Sequence, residues 1–154
     1  LAAPDAGWAG RGWLENGGHL RREAEGFRLT PDSEQAGSDS YPGVFREPAV
    51  RDWRQMVALE SAMYWPGEAS AIMGLRVDDR RGNPPYAERF QQEFAVTQGW
   101  NQIRIAVEEL SLTSGGRPFR LDHVVHWGVF LVSDVPVDYF LIRSVQLIVP
   151  EEQP

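Results

Sequence analysis

Apolar and polar residues alternate with a period of two through much of the chain. Val57, Leu59, Met63 and Trp65 share one parity, and Glu60 and Tyr64 take the other. Ala71, Met73, Leu75 and Val77 alternate with Ile72, Gly74, Arg76 and Asp78. Ile103, Ile105 and Val107 alternate with Gln102, Arg104 and Ala106. This spacing predicts strands with one buried face, because successive side chains of a strand point to opposite sides. Phe90–Val96 is a further strand, with Phe90, Phe94 and Val96 expected in the core. His126–Val132 and Tyr139–Val149 are apolar on both parities, which predicts central strands covered on both sides. Trp13–Asn16, Leu20–Glu25, Phe27–Leu29 and Tyr41–Phe45 are shorter candidates. Helical turns are expected only at Val107–Leu112 and Leu121–Val125.

Turn-forming segments separate these runs: Thr30–Ser40, Pro66–Gly67, Gly82–Pro85, Gln98–Gly99 and Ser114–Pro118. Glycine supplies positive φ there and proline fixes it. Short strands punctuated in this way predict an all-β sandwich or barrel. The expectation is a single β-sandwich domain over residues 1–154, with eight to ten strands and an irregular segment at 1–12.

Composition narrows the chemistry. Fifteen basic and 22 acidic residues give a net charge of −7. A broad positive field for nucleic acid or anionic lipid is not expected from that balance. There is no cysteine, so thiolate metal sites, disulfides and cysteine nucleophiles are excluded. All 15 basic residues are arginine, which removes lysine Schiff-base and phosphate-loop chemistry. No apolar run approaches the roughly 20 residues that a membrane helix needs, so direct membrane insertion is not expected. Leu1–Gly10 lacks the basic and apolar regions of a signal peptide. The chain is read either as a processed form or as part of a larger polypeptide.

Five segments occur in a distinctive order: Tyr41-Pro42-Gly43-Val44, Arg51-Asp52-Trp53-Arg54, Leu75-Arg76-Val77-Asp78-Asp79, Tyr86-Ala87-Glu88-Arg89-Phe90 and Gly99-Trp100-Asn101-Gln102-Ile103-Arg104-Ile105. The series, from Tyr41 to Leu147, resembles bacterial carbohydrate-binding-module-like domains of the galactose-binding-like jelly-roll superfamily. The resemblance implies a jelly-roll β-sandwich and non-catalytic binding of an oligosaccharide or polysaccharide. It implies an accessory or envelope-associated module in an extracytoplasmic setting. It also implies a structural calcium ion, for which Asp32, Asp39 and carboxylates near the termini are the candidate ligands. No other cofactor is expected. At the closing strand the family's Asp-Asn pair is replaced by Arg143-Ser144.

Sugar recognition needs aromatic faces for C–H surfaces and planar polar groups for hydroxyls. Tyr64, Trp65 and Tyr86 lie at strand ends or beside loops, where a binding rim is expected. Glu60, Arg76, Asp78 and Arg104 project from strand faces opposite core residues. If their strands are neighbours, they form one polar patch on one sheet. Trp53, Trp100 and Trp127 are expected in the core. Other chemistries have weaker sequence support. His123 and His126 have a spacing that suits zinc on a helix, but His126 opens a strand. Asp78-Asp79 and Glu108-Glu109 each point to opposite faces of a strand, which leaves a cross-strand pair such as Glu60 with Asp78 as the hydrolytic option. Two alternatives to sugar binding therefore stand: a structural or protein–protein interaction domain with a degenerate sugar site, and a glycan-active hydrolase.

Overall fold

A computed structural model describes residues 13–32, 41–143 and 146–150, in which eleven strands form two antiparallel sheets. The strands are β1 (Trp13–Asn16), β2 (Gly18–Glu23), β3 (Gly26–Pro31), β4 (Gly43–Arg46), β5 (Ala58–Trp65), β6 (Ala71–Asp78), β7 (Phe90–Val96), β8 (Gly99–Ala106), β9 (His126–Leu131), β10 (Phe140–Ile142) and β11 (Gln146–Ile148). The front sheet has the order β1-β4-β9-β6-β7. In the back sheet β8 flanks β5 on one side, β10 and β11 share its other side, and β3 and β2 follow β10. The non-sequential order is that of a jelly roll, in which neighbours in space are distant in sequence.

The period-two residues meet between the sheets. Met73, Leu75 and Val77 of β6, Val129 of β9 and Val44 of β4 come from the front sheet. Leu59, Met63 and Trp65 of β5, Ile103 and Ile105 of β8, Leu29 of β3 and Phe140 of β10 come from the back. One end is closed by the loop after β4. Trp53 is fully buried there, its indole N–H donating to the Val50 carbonyl at 2.8 Å and its backbone N–H to that of Leu121 at 2.7 Å.

Two expectations about elements need correction. Tyr139–Val149 is not one strand. Ile142 stands opposite Met63 and Gln146 opposite Glu60, so four steps along one strand match three along β5. The register on β5 thus shifts by one between them, and the segment is divided into β10 and β11. Leu121–Val125 is not helical. Its amides pair at long range, Val124 N–H with the Arg51 carbonyl and Val125 N–H with that of Asp78, which binds this segment to two other loops. The turn expected at Val107–Leu112 is a 3-10 helix over Val107–Ser111, and a second one spans Tyr86–Glu88. Glu109 accepts a hydrogen bond from the Ala106 amide at the start of the first. The anticipated irregular segment at 1–12 lies outside the described residues.

Because Trp53 closes one end of the core, Trp53→Ala should destabilise the domain by about 3–5 kcal/mol. Urea titration measures this directly. A loss of under about 1 kcal/mol would show that the loop after β4 is not part of the cooperative core.

Candidate functional site

The outward face of the front sheet carries a regular pattern of large and absent side chains. Residues directly opposite one another share a face, so the cross-strand pairs define rows. One row reads Phe45 on β4, Gly128 on β9, Arg76 on β6 and Gln91 on β7. The next reads Gly43, Phe130, Gly74 and Glu93 on the same four strands. Each phenyl ring lies over the glycine beside it. A Cβ on Gly74 would fall 2.3 Å from the Phe130 ring, and one on Gly128 would fall 2.2 Å from the Phe45 ring. The two rings are nearly parallel, with centroids 6.2 Å apart and planes 20° apart. Tyr41, half exposed, leans against Phe130 at 5.8 Å. The result is an aromatic shelf laid flat on the sheet, in which Phe130 is itself buried and Phe45 and Tyr41 keep open surface.

Polar groups adjoin the shelf on the β6–β7 side. The Arg76 guanidinium lies 5.7 Å from the Phe45 ring centroid. Its Nε donates to both carboxylate oxygens of Asp78, at 2.8 and 3.1 Å, and its Nη1 to Asn83 Oδ1 at 3.0 Å. Asn83 has φ of 51°, a left-handed conformation that an Asn tolerates and that suits the tight turn beside Gly82. Gln91 and Arg89 follow on β7 and just before it. Gln91 Oε1 and Arg89 Nε are buried and have no hydrogen-bond partner. Such orphaned polar atoms are rare in folded proteins. Tyr86 stands on the adjoining loop, 57% exposed, with the Arg89 guanidinium 5.9 Å from its ring centroid.

This loop is clamped from below. Asp79 is buried, and Arg117 grips its two oxygens at 2.7 and 2.9 Å while the Arg120 backbone N–H adds a bond of 2.8 Å. Arg117 also reaches Glu88 at 3.0 Å, and Arg80 meets the same carboxylate at 2.8 Å. Burial pushes the Asp79 carboxyl up, but the bonds from Arg117 and the Arg120 amide outweigh it and hold it below its ordinary range.

The seven residues expected at a site fall in three places. Arg76, Asp78 and Tyr86 gather at the β6–β7 end of the front face. Glu60, Tyr64 and Arg104 lie on the outward face of the back sheet, where Glu60 pairs with Arg104 across β5 and β8. The single polar patch expected from Glu60, Arg76, Asp78 and Arg104 therefore does not form, because β5 and β8 belong to one sheet and β6 to the other. For the same reason Glu60 and Asp78 are no hydrolytic dyad. Trp65 is not at a rim. It shares the parity of Leu59 and Met63, is 1% exposed, and donates its indole N–H to the Ala69 carbonyl at 2.8 Å.

Trp53 and Trp127 are buried as expected, whereas Trp100 is 38% exposed. Trp100 faces outward opposite Tyr64, ring centroids 5.5 Å apart, with the Arg143 guanidinium 4.1 Å from its centroid.

Sequence reading missed Phe45, Phe130, Arg89 and Gln91. The available signal was glycine in the middle of strand patterns, at Gly74 and Gly128, where it marks a close approach by another group. For calcium, Asp32 meets His19 at 3.1 Å, and among the described residues no three His, Asp or Glu groups are placed to hold a metal ion. Asp39 and the carboxylates near the termini lie outside the described residues. His126 approaches Glu47 at 3.9 Å, and no zinc cluster forms with His123 among the described residues. A separate groove of about 220 Å³ opens between β7 and β8, lined by residues including Gln92, Phe94, Gln102 and Arg104, away from the shelf.

No family model matches the chain, and no curated protein matches it. Solved structures do match in fold. A family 11 carbohydrate-binding module from Clostridium thermocellum, solved in complex with a β-1,3-1,4-mixed-linked tetrasaccharide, superposes with a TM-score of 0.68 at 13% identity, over 97% of this chain and 95% of that one. A family 22 xylan-binding domain from Paenibacillus barcinonensis gives 0.54 at 14% identity, over 90% and 85%. An exo-β-agarase gives 0.64 at 16% identity, covering 94% of this chain but only 24% of the agarase. The chain therefore has the jelly-roll β-sandwich fold of these carbohydrate-binding modules.

The Asp79 clamp carries a pH signature. A carboxyl held low in the folded state contributes fully above the pKa of an unfolded Asp, about 3.9, and loses that contribution as pH falls through the lower folded value. Asp79→Asn should cost about 2–4 kcal/mol at pH 7, somewhat less than a fully buried pair because Arg117 is partly solvated. The difference from the parent should narrow as pH drops below about 4. Urea titrations at pH 7 and pH 3 check this; an equal gap at both would show that the clamp does not act through the Asp79 charge.

Proposed function

We propose that the domain is a non-catalytic carbohydrate-binding module whose site is the aromatic shelf on the front face. The observation that carries this reading is the juxtaposition of Phe45 and Phe130, laid flat on glycines, with the unpartnered polar atoms of Arg89 and Gln91. A sugar ring needs both surfaces at once. Its C–H face stacks on the shelf, and its hydroxyls meet Gln91, Arg76 and Arg89. The likeness to sugar-binding modules across nearly the whole length supports it. The agarase match supports an accessory place in a longer, extracytoplasmic polypeptide, since a domain of this size is a quarter of that enzyme. Recognition without turnover is the role assigned, because Asp78 and Asp79 are each committed to an arginine, which leaves Glu93 as the one carboxylate in the two rows of the shelf.

One observation favours a second reading. Exposed Trp100 with Tyr64 and Arg143 on the back face is the composition of a protein contact surface, which aromatic residues and arginine enrich. The two readings predict different sensitive residues.

Affinity electrophoresis through gels containing mixed-linked β-glucan, xylan or agar separates them. Retardation is expected in at least one gel. Phe45→Ala and Arg76→Ala should weaken it about tenfold or more, as loss of a central contact does. Trp100→Ala and Arg104→Ala should leave it unchanged. Dependence on Trp100 instead of Phe45 would move the site to the back face, and absence of retardation in every glycan gel would remove the carbohydrate reading.

A further inference from the structure

The site contains a charge that the protein does not neutralise. Arg28, Arg51, Arg76 and Arg117 are half-buried arginines that each hold a carboxylate. Arg89 is half-buried as well, yet among the described residues its side chain makes no hydrogen bond or ion pair, and its one ring contact is with Tyr86. Its nearest acidic neighbour on this face, Asp78, gives both oxygens to Arg76. Glu93 lies on the same face four residues along β7, roughly 13 Å away at the rise of a strand. The Arg89 Nε is buried without a hydrogen bond, its terminal nitrogens remain open, and Asp78 acts on it only through space, which leaves the group capacity for an anion brought from outside.

We infer that the shelf takes a sugar bearing an anionic group, either a carboxylate or a sulfate ester, and that Arg89 receives that group while the ring stacks on Phe45. This rests on the carbohydrate-binding reading and adds the ligand's charge to it. Arg89 lies just before β7 at the edge of the face, one row beyond that of Phe45, Gly128, Arg76 and Gln91, with β9 and β6 between Phe45 and β7. A glycan that runs from Phe45 across β9 and β6 brings a substituent to Arg89. The planar fork of a guanidinium matches the paired oxygens of both groups. Burial, and then the neighbouring charge of Arg76, draws the Arg89 pKa down, the direction expected of a cation awaiting its partner. The net charge of −7 repels a polyanion in general, so a preference for one has to arise locally.

The test uses the whole chain in affinity gels of polygalacturonate, a sulfated galactan, the same galactan after desulfation, and neutral mixed-linked β-glucan. Retardation by at least one anionic polymer about tenfold stronger than by the neutral ones is expected, and which polymer does so identifies carboxylate or sulfate as the group. Arg89→Gln should bring retardation by the anionic polymer down to that by the neutral ones, whereas Arg81→Gln, at an exposed position in the same loop, should keep the parent's preference. Equal retardation by anionic and neutral polymers in the parent protein would overturn the inference and leave the carbohydrate reading intact. Equal effects of the two substitutions would overturn it too, by showing a diffuse charge effect. No retardation by any polymer would overturn both. The comparison between polymers in the parent protein decides the matter even if Arg89→Gln fails to fold.

Discussion

A phenyl ring lies flat on a β-sheet only where the residue beside it has no side chain. That steric condition governs the outward face of the front sheet. Gly128 and Gly74 leave room on β9 and β6 for Phe45 and Phe130. Side chains at those two glycines would drive the rings up from the sheet. The shelf then depends on the strand order β4-β9-β6, since only that order sets each glycine directly beside its ring. The order in turn depends on the buried face, where Met73, Leu75, Val77 and Val129 fix which side of each strand is turned outward. Register is strongly specified in such a sheet, because a slip of one residue would expose this apolar set.

The two outward faces are built from the same alternation but differ in how complete they are. On the back face Glu60 and Arg104 satisfy each other, and Arg143 covers Trp100. On the front face Arg76 is anchored by Asp78 and Asn83, and the groups next to it are not. Anchoring of one arginine and release of its neighbour is what a binding site requires. The anchored group holds its position before the ligand arrives, and the other retains capacity to bond with it. The Asp79–Arg117–Glu88 cluster beneath keeps the loop that carries Tyr86 and Arg89 in place.

Much of the fold was legible in the sequence because period two records burial directly. The faces of β5, β6, β7 and β8 follow from parity, and Leu59, Met73, Phe90 and Ile105 lie where it places them. Parity cannot report which strands are neighbours. Glu60 and Arg76 both point outward as expected, yet they leave opposite sheets, because jelly-roll neighbours are set by long-range pairing. Trp100 was assigned to the core on its apolar character, but an outward position on edge strand β8 leaves it half covered by Tyr64 and Arg143. Trp65 was placed at a rim although its parity already matched Leu59 and Met63. The register shift between β10 and β11 has no periodic signature, since both strands keep an apolar pattern.

The central claim is that a glycan lies on the glycine-backed face of the front sheet. Chemical-shift mapping of backbone amides during titration with a bound oligosaccharide tests it most directly. Perturbed amides should cluster at Phe45, Gly74, Gln91 and Gly128, with those of Tyr64, Trp100 and Gln102 unmoved. Perturbations confined to β5 and β8 would contradict the account.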